Sequence, residues 1–102
     1  MALKFEWDPE KAAKNLAKHG VSFGEAETVF GDPWGRITTD PRHSAEEERY
    51  ALLGQSREGR LLTVMFAERA DAIRLISARR ATPRERRDYE KETPEGKSSR
   101  SA

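Results

Sequence analysis

The chain contains no cysteine and only two histidines. The first absence removes disulfides, thiolate catalysis and cysteine-ligated zinc or iron–sulfur centres. The second leaves His19 and His43, far apart and without ligand spacing, which argues against a metal site. No glycine-rich phosphate loop, dinucleotide fingerprint or serine-elbow motif occurs, so nucleotide cofactors drop out and no cofactor is expected. No apolar run is long enough to span a bilayer and no secretory leader is visible; the expectation is an intracellular, cytoplasmic protein without membrane contact. Aromatic residues are too few for a clear RNA-stacking platform: Trp7, Phe23, Phe30, Trp34 and Phe66 are assigned first to the core or its edge.

What the chain has in quantity is charge. Its 19 basic and 18 acidic residues nearly cancel, so global basicity says little about nucleic acid. Their distribution says more. Residues 1–60 carry 9 basic and 11 acidic groups, whereas residues 61–102 carry 10 and 7, and five arginines fall between positions 79 and 87. At 102 residues there is room for one domain with one modest core. We assign residues 1–92 to that domain and residues 93–102, which have no packable pattern, to a flexible tail.

Local signals order the elements. Lys4 to Trp7 suits a short strand or edge segment. Asp8 then caps a helix with Pro9 in its first turn and Gly20 at its end; Pro9, Ala12, Ala13 and Leu16 share one face and Lys11, Lys14 and Lys18 the other. Ser22 and Glu25 have capping-box spacing for a shorter helix, stopped by Gly31 to Pro33. From Trp34 onward the period becomes two. GRITTD, RYALLGQS, LLTVMFAE and AIRLISAR read as strands, with DPRHSAEEE a charged loop between the first two. No helix-sized segment separates the last three strands, so they pair antiparallel. In LLTVMFAE both faces are apolar, so helices are expected to cover at least one. A last helix begins at Thr82, with Pro83 in its first turn, Glu85 at the capping-box position and Tyr89 as its one large anchor. The fold class is α+β: two N-terminal helices, a three- to four-stranded antiparallel sheet and a C-terminal helix.

Several charged residues stand where these elements end. Arg79 and Arg80 close a strand on opposite faces, and an arginine so placed can present a rigid fork to a phosphate while the sheet holds its backbone. A plain edge salt bridge is the simpler role. Arg84, Arg86 and Arg87 suit a charged coat laced by Arg84–Asp88 and Arg86–Glu90 pairs. His19 sits at the border of the apolar stripe, either satisfied at the helix C-terminus or available as acid or base, and Lys18 beside it adds positive field. Glu48 and Arg49 lead into the sheet, and Glu68 and Arg69 leave it. Glu46 and Glu47 fit a charged loop, and Asp71 a turn.

Three blocks, WDPEKAAKNLAKHGVSF at 7–23, HSAEEERY at 43–50 and RLISARRATPRERRDY at 74–89, resemble the BrnT family of type II toxins over roughly residues 3–91. The resemblance implies a fold similar to RelE-like ribonuclease toxins and a metal-independent endoribonuclease that inhibits growth. It also implies a BrnA-like antitoxin partner, whose DNA-binding part lets the complex repress its own operon. The residues it carries over are Trp7, Asp8, Asn15, Lys18, His19, Gly20, Glu48, Arg49, Ser77, Arg79, Thr82, Glu85, Arg86 and Tyr89. From their placement at helix and strand ends, the catalytic candidates for such a reaction are Lys18, His19, Glu48, Arg49 and Arg79, with Arg79 the central phosphate ligand, Arg49 and Lys18 beside it, and His19 or Glu48 moving a proton. Arg69, Arg80 and Arg86 are the substrate-binding candidates. The competing reading is a non-catalytic module whose arginines meet an acidic protein or a nucleic-acid backbone.

Overall fold

The structure, a computed structural model, describes residues 3–39 and 48–93. His43, Glu46, Glu47 and the segment assigned as a tail after Thr93 lie outside the described residues. The element order is β1 (Phe5–Glu6), α1 (Pro9–His19), α2 (Phe23–Thr28), a single 3₁₀ turn (Val29–Gly31), β2 (Arg36–Thr39), β3 (Tyr50–Gln55), β4 (Leu61–Arg69), β5 (Ala72–Arg80) and α3 (Pro83–Glu92). Strands β2 to β5 form the antiparallel meander, and β1 pairs parallel with β5 at its other edge, giving the order β1-β5-β4-β3-β2. This fifth strand extends the expected sheet into a mixed one. It is only two residues long and its partner lies far along the chain, so no local period could announce the pairing.

The caps are where the local chemistry puts them. Asp8 accepts from the Glu10 N–H, Ser22 from the Glu25 N–H, and Gly20 closes α1 at φ 70°. Thr82 and Glu85 form a reciprocal capping box at the start of α3. In α1, however, the buried side chain is Asn15, whereas Leu16 is 51% exposed. Asn15 Oδ1 accepts from the Ala78 N–H while its Nδ2 donates to the Ala78 and Val21 carbonyls. Past the end of β1 the edge of β5 has no neighbouring strand, and this amide pairs with Ala78 as a strand would.

Helices α1 and α2 cover one face of the sheet. The core between them is Val21, Phe23, Ala26 and Val29 against Leu52, Leu62, Val64, Phe66, Leu75 and Ala78. Phe5, Phe30, Phe66 and Tyr50 run through its edge in successive ring contacts of 5.1, 5.0 and 5.4 Å. Trp34, assigned from sequence to the core or its edge, is 46% exposed, because the turn after Asp32 carries it past the end of the sheet.

Helix α3 lies on the opposite face, across the strands. Glu85 reaches Thr63 of β4, and Tyr89, only 4% exposed, donates its hydroxyl to Asp32 Oδ2 at 2.6 Å. Asp32 also accepts from the Gln55 N–H at 2.7 Å, so one carboxylate ties α3 to the end of β3. On the helix-covered side, Glu25 is bonded to Ser56 and to Arg60, whose guanidinium also caps the Gly20 carbonyl. The Arg60 guanidinium holds the Glu25 carboxyl below its ordinary pKa against the opposing effect of burial. Among the described residues, no helix is long and apolar enough to cross a membrane.

Candidate functional site

Strand register decides which side chains face α3. Thr63 is opposite Arg79, Met65 opposite Ser77 and Leu62 opposite Arg80, so Arg79 and Ser77 share the α3 face with Thr63 while Arg80 points to the α1–α2 side. A shift of register between Met65 and Phe66 makes this arrangement possible. Leu75 pairs with Phe66, and the extra residue, Ile76, is a bulge in β5. Strict alternation from Ile73 and Leu75 would have sent Ser77 and Arg79 into the core. The bulge reverses the phase and presents them on the open face.

Arg79 is held there by α3. Its Nη1 and Nη2 donate to the two oxygens of Glu85 at 3.0 and 3.1 Å, and Nη1 donates also to the Arg80 carbonyl. Glu85 further accepts from the Thr82 N–H and the Thr63 hydroxyl. The guanidinium beside it, with these bonds, brings the Glu85 carboxyl down to about 2 despite partial burial. Glu85 is therefore an anchor rather than a base at neutral pH. For Arg79 the end-on fork is occupied, but among the described residues nothing engages the Nε–Nη2 edge. That edge retains two N–H groups in the geometry that receives a phosphate.

Around it the face is basic at its rim and uncharged in its middle. Thr38, Ala51, Thr63, Met65, Ala67 and Ser77 form the floor by register. Arg36 lines a recess of ≈ 230 Å³ with Thr38, Leu53, Thr63, Glu85 and Asp88 under α3. Arg74 stands by Glu6 at 3.3 Å on the far side. Arg49, continuing the alternation of β3, belongs to the same face opposite Ala67. It lies about 13 Å from the level of Thr63 and Arg79, at ~3.3 Å per strand residue. Arg69 falls on this face beyond it, at the end of β4.

Lys18 stands in the last turn of α1. Asn15 fixes the helix edge-on to Ala78, and Ala12, on one flank, packs on the core. At 100° per residue the opposite flank carries Lys11, Lys14 and Lys18, all exposed. Four other candidates are placed elsewhere. His19 is half-buried on the core-side flank of α1. Glu48 accepts from the Tyr50 hydroxyl at 2.8 Å on the side of the sheet opposite Arg79, and this contact raises the Tyr50 pKa. Arg80 lies near enough to Glu25 to help lower its pKa. Arg86 is exposed on the flank of α3 away from Asp88. Thus register puts Arg49, Arg69 and Arg79 on one face, Lys18 stands exposed on α1, and His19, Glu48, Arg80 and Arg86 do not join the three arginines there.

Sequence reasoning missed Arg36 and the Arg79–Glu85 pair. Arg36 begins a short strand with no charged neighbour, and only the crossing of α3 over the sheet puts it beside Asp88. The pair was foreshadowed: Glu85 is the capping residue of the helix that follows Arg79, which brings the two within one turn. Among the described residues, no three His, Cys, Asp or Glu side chains group as metal ligands.

Residues 7–85 match the family model described as ribonuclease toxin, BrnT, of type II toxin–antitoxin system. The chain is similar to the Brucella abortus ribonuclease toxin BrnT, known from a 1.1 Å crystal structure, with 25% identity and a TM-score of 0.63 over 79% of this chain and 99% of that one. No curated protein matches.

Proposed function

Because the chain belongs to the BrnT family of ribonuclease toxins of type II toxin–antitoxin systems, we propose that it is a metal-independent endoribonuclease that cuts RNA on the sheet face beneath α3. Family membership supports a ribonuclease toxin function. The observation that carries the choice of site is Arg79: a guanidinium immobilised by Glu85, with its Nε–Nη2 edge open, on the face to which register also assigns Arg49.

The chemistry requires the RNA 2′-hydroxyl to lose a proton, its oxygen to attack the adjacent phosphorus, and the 5′-oxygen to leave and take up a proton. The products are a 2′,3′-cyclic phosphate and a 5′-hydroxyl. Negative charge develops on the non-bridging oxygens, and fixed cationic donors stabilise it without reorganising. Arg79 supplies a pre-oriented pair of donors, and Lys18, exposed on the last turn of α1, is the mobile charge assigned to it in this reading. Arg49, further along the face, holds a flanking phosphate. The Arg79–Glu85 pair keeps the guanidinium from following the substrate, so that its field stays aimed at the reacting phosphate. A cognate antitoxin, BrnA-like by family, is the expected partner, with operator DNA contacted through it; covering this cationic face would silence the enzyme.

The test is cleavage of a defined RNA oligonucleotide by the purified protein in chelator, with the termini identified. Wild-type protein yields cyclic phosphate ends. Arg79→Lys, which keeps the charge but loses the fork, slows cutting by roughly 10²-fold, the scale of one lost transition-state donor. Equal rates would remove Arg79 from the mechanism. No cutting by wild type, with the protein folded and free of partner, would favour a non-catalytic binding module instead.

A further inference from the structure

The recess under α3 has a composition that phosphate binding does not use. Its lining includes the apolar Leu53 and Ala51 together with Arg36 of β2 and Asp88 of α3. Both charged side chains line the same ≈ 230 Å³ space, yet among the described residues neither makes an ion pair or a hydrogen bond. Glu85, the other acid in the lining, is already engaged by Arg79, Thr82 and Thr63. An unpaired fork of donors and an unpaired carboxylate therefore line one recess with Leu53, next to the Glu85 that holds Arg79.

We infer that this recess is a base-recognition pocket for guanine in single-stranded RNA, read by Arg36 and Asp88. The inference rests on the ribonuclease reading for its substrate class, and it goes further by naming a residue-level specificity. Arg79 stands on β5 and the recess opens over β3 and β2. At ~4.8 Å between strands, two strand steps are about 10 Å, which is the reach of a nucleotide from phosphate to base edge. The spacing between Arg79 and Leu53 in the register Arg79–Thr63–Leu53 therefore matches one nucleotide.

The choice among bases follows from counting donors and acceptors. Guanine offers two adjacent acceptors, O6 and N7, to a guanidinium fork, and two adjacent donors, N1–H and N2–H, to a carboxylate. Adenine has N7 and a donor at N6, so the fork is half-used and set against a donor. Cytosine offers the adjacent acceptors N3 and O2 to the fork but no donor pair to the carboxylate, and uracil, whose N3–H lies between two carbonyls, offers neither pair. Guanine alone uses each charged group bidentately, and its ring covers the Leu53 wall. Splayed bases of single strands are recognised in this way, by edge bonds with one ring face on an apolar or aromatic surface.

The test uses the full chain, isotope-labelled and titrated with each of the four nucleoside 5′-monophosphates, with binding read from amide shifts. Guanosine monophosphate is expected to bind roughly tenfold tighter than the other three, given the discrimination of a good bidentate contact, and to move the Thr38, Leu53 and Thr63 amides. The 7-deaza analogue weakens binding to wild type but not to Arg36→Ala. Inosine monophosphate, which lacks N2, weakens binding to wild type but not to Asp88→Asn. Both variants carry surface changes, and a dispersed spectrum confirms their folding.

Equal affinity for the four nucleotides, shifts centred elsewhere, or no binding at millimolar nucleotide overturns the inference. So do variants that retain the guanine preference. Cleavage of RNA without any preference for guanine leaves the ribonuclease reading intact and removes the pocket. Guanosine monophosphate binding in a protein that cuts nothing keeps the pocket and removes the cleavage.

Discussion

Replacing Glu85 by Gln removes one charge and little else. The amide oxygen still accepts from the Thr82 N–H, a duty that Gln performs in capping boxes, and it can still accept from the Thr63 hydroxyl. What is lost is the ion pair with Arg79 at 3.0 Å. A carboxyl lowered from 4.5 to about 2 corresponds to an upper bound of ~3.4 kcal/mol of folding free energy at neutral pH. The Arg79 side chain is 41% exposed, so solvent screens much of this, leaving about 1–2 kcal/mol. The sign follows from the depressed folded-state value. Above pH 4.5 the group is ionised in both states and the stabilisation is complete; it fades as pH falls toward 2, where the folded protein also takes up the proton. Urea unfolding at pH 7 is therefore expected to show Glu85→Gln less stable than wild type by about 1–2 kcal/mol, and at pH 2.5 the two curves nearly coincide. A deficit equal at both pH values would show that shape or capping, not charge, makes Glu85 matter. The account of Arg79 as a guanidinium pinned by Glu85 would then fail.

Two further substitutions probe the frame around the site. Asn15→Ala strands the Ala78 N–H and the Ala78 and Val21 carbonyls, all bonded to the native amide, and is expected to cost about 3 kcal/mol, at ~1–3 kcal/mol per buried unsatisfied group with partial relaxation. Thermal unfolding measures it, and hydrogen exchange at Ala78 should accelerate with it; a cost below about 1 kcal/mol would mean that the β5 edge does not depend on this amide. Gly54→Ala would set a Cβ 2.9 Å from Val29 Cγ1 and 3.1 Å from Asp32 Oδ2, the carboxylate that holds Tyr89. Overpacking of this kind costs about 1–3 kcal/mol in denaturant unfolding, and unchanged stability would show that Val29 and Asp32 can give way.

The elements themselves were legible from the chain because their signals are local. Asp8, Gly20, Ser22, Thr82 and Glu85 act on groups within a few residues, and the alternation in LLTVMFAE is a property of the strand alone. The family resemblance was legible for a similar reason, since its blocks combine caps, strand ends and charges in short runs. Which charges converge was not legible. Arg49 and Arg79 lie on one face, and Glu48 on the other, because register assigns them, not composition.

The five-arginine run from 79 to 87 shows where the division falls. Its sequence determined that a strand ends at Arg80 and that a capped helix starts at Thr82, because backbone donors at the helix start are satisfied by residues within reach of one turn. Only the tertiary structure decided that Arg79 faces α3 and Arg80 the side of α1 and α2, since a one-residue bulge opposite Met65 and Phe66 inverts the alternation. Only the crossing of α3 over the sheet brought Arg36 and Asp88, 52 positions apart in the chain, to the same recess. A side chain's neighbours across a sheet are set by pairing free energy summed over whole strands, and no window of local sequence contains that sum.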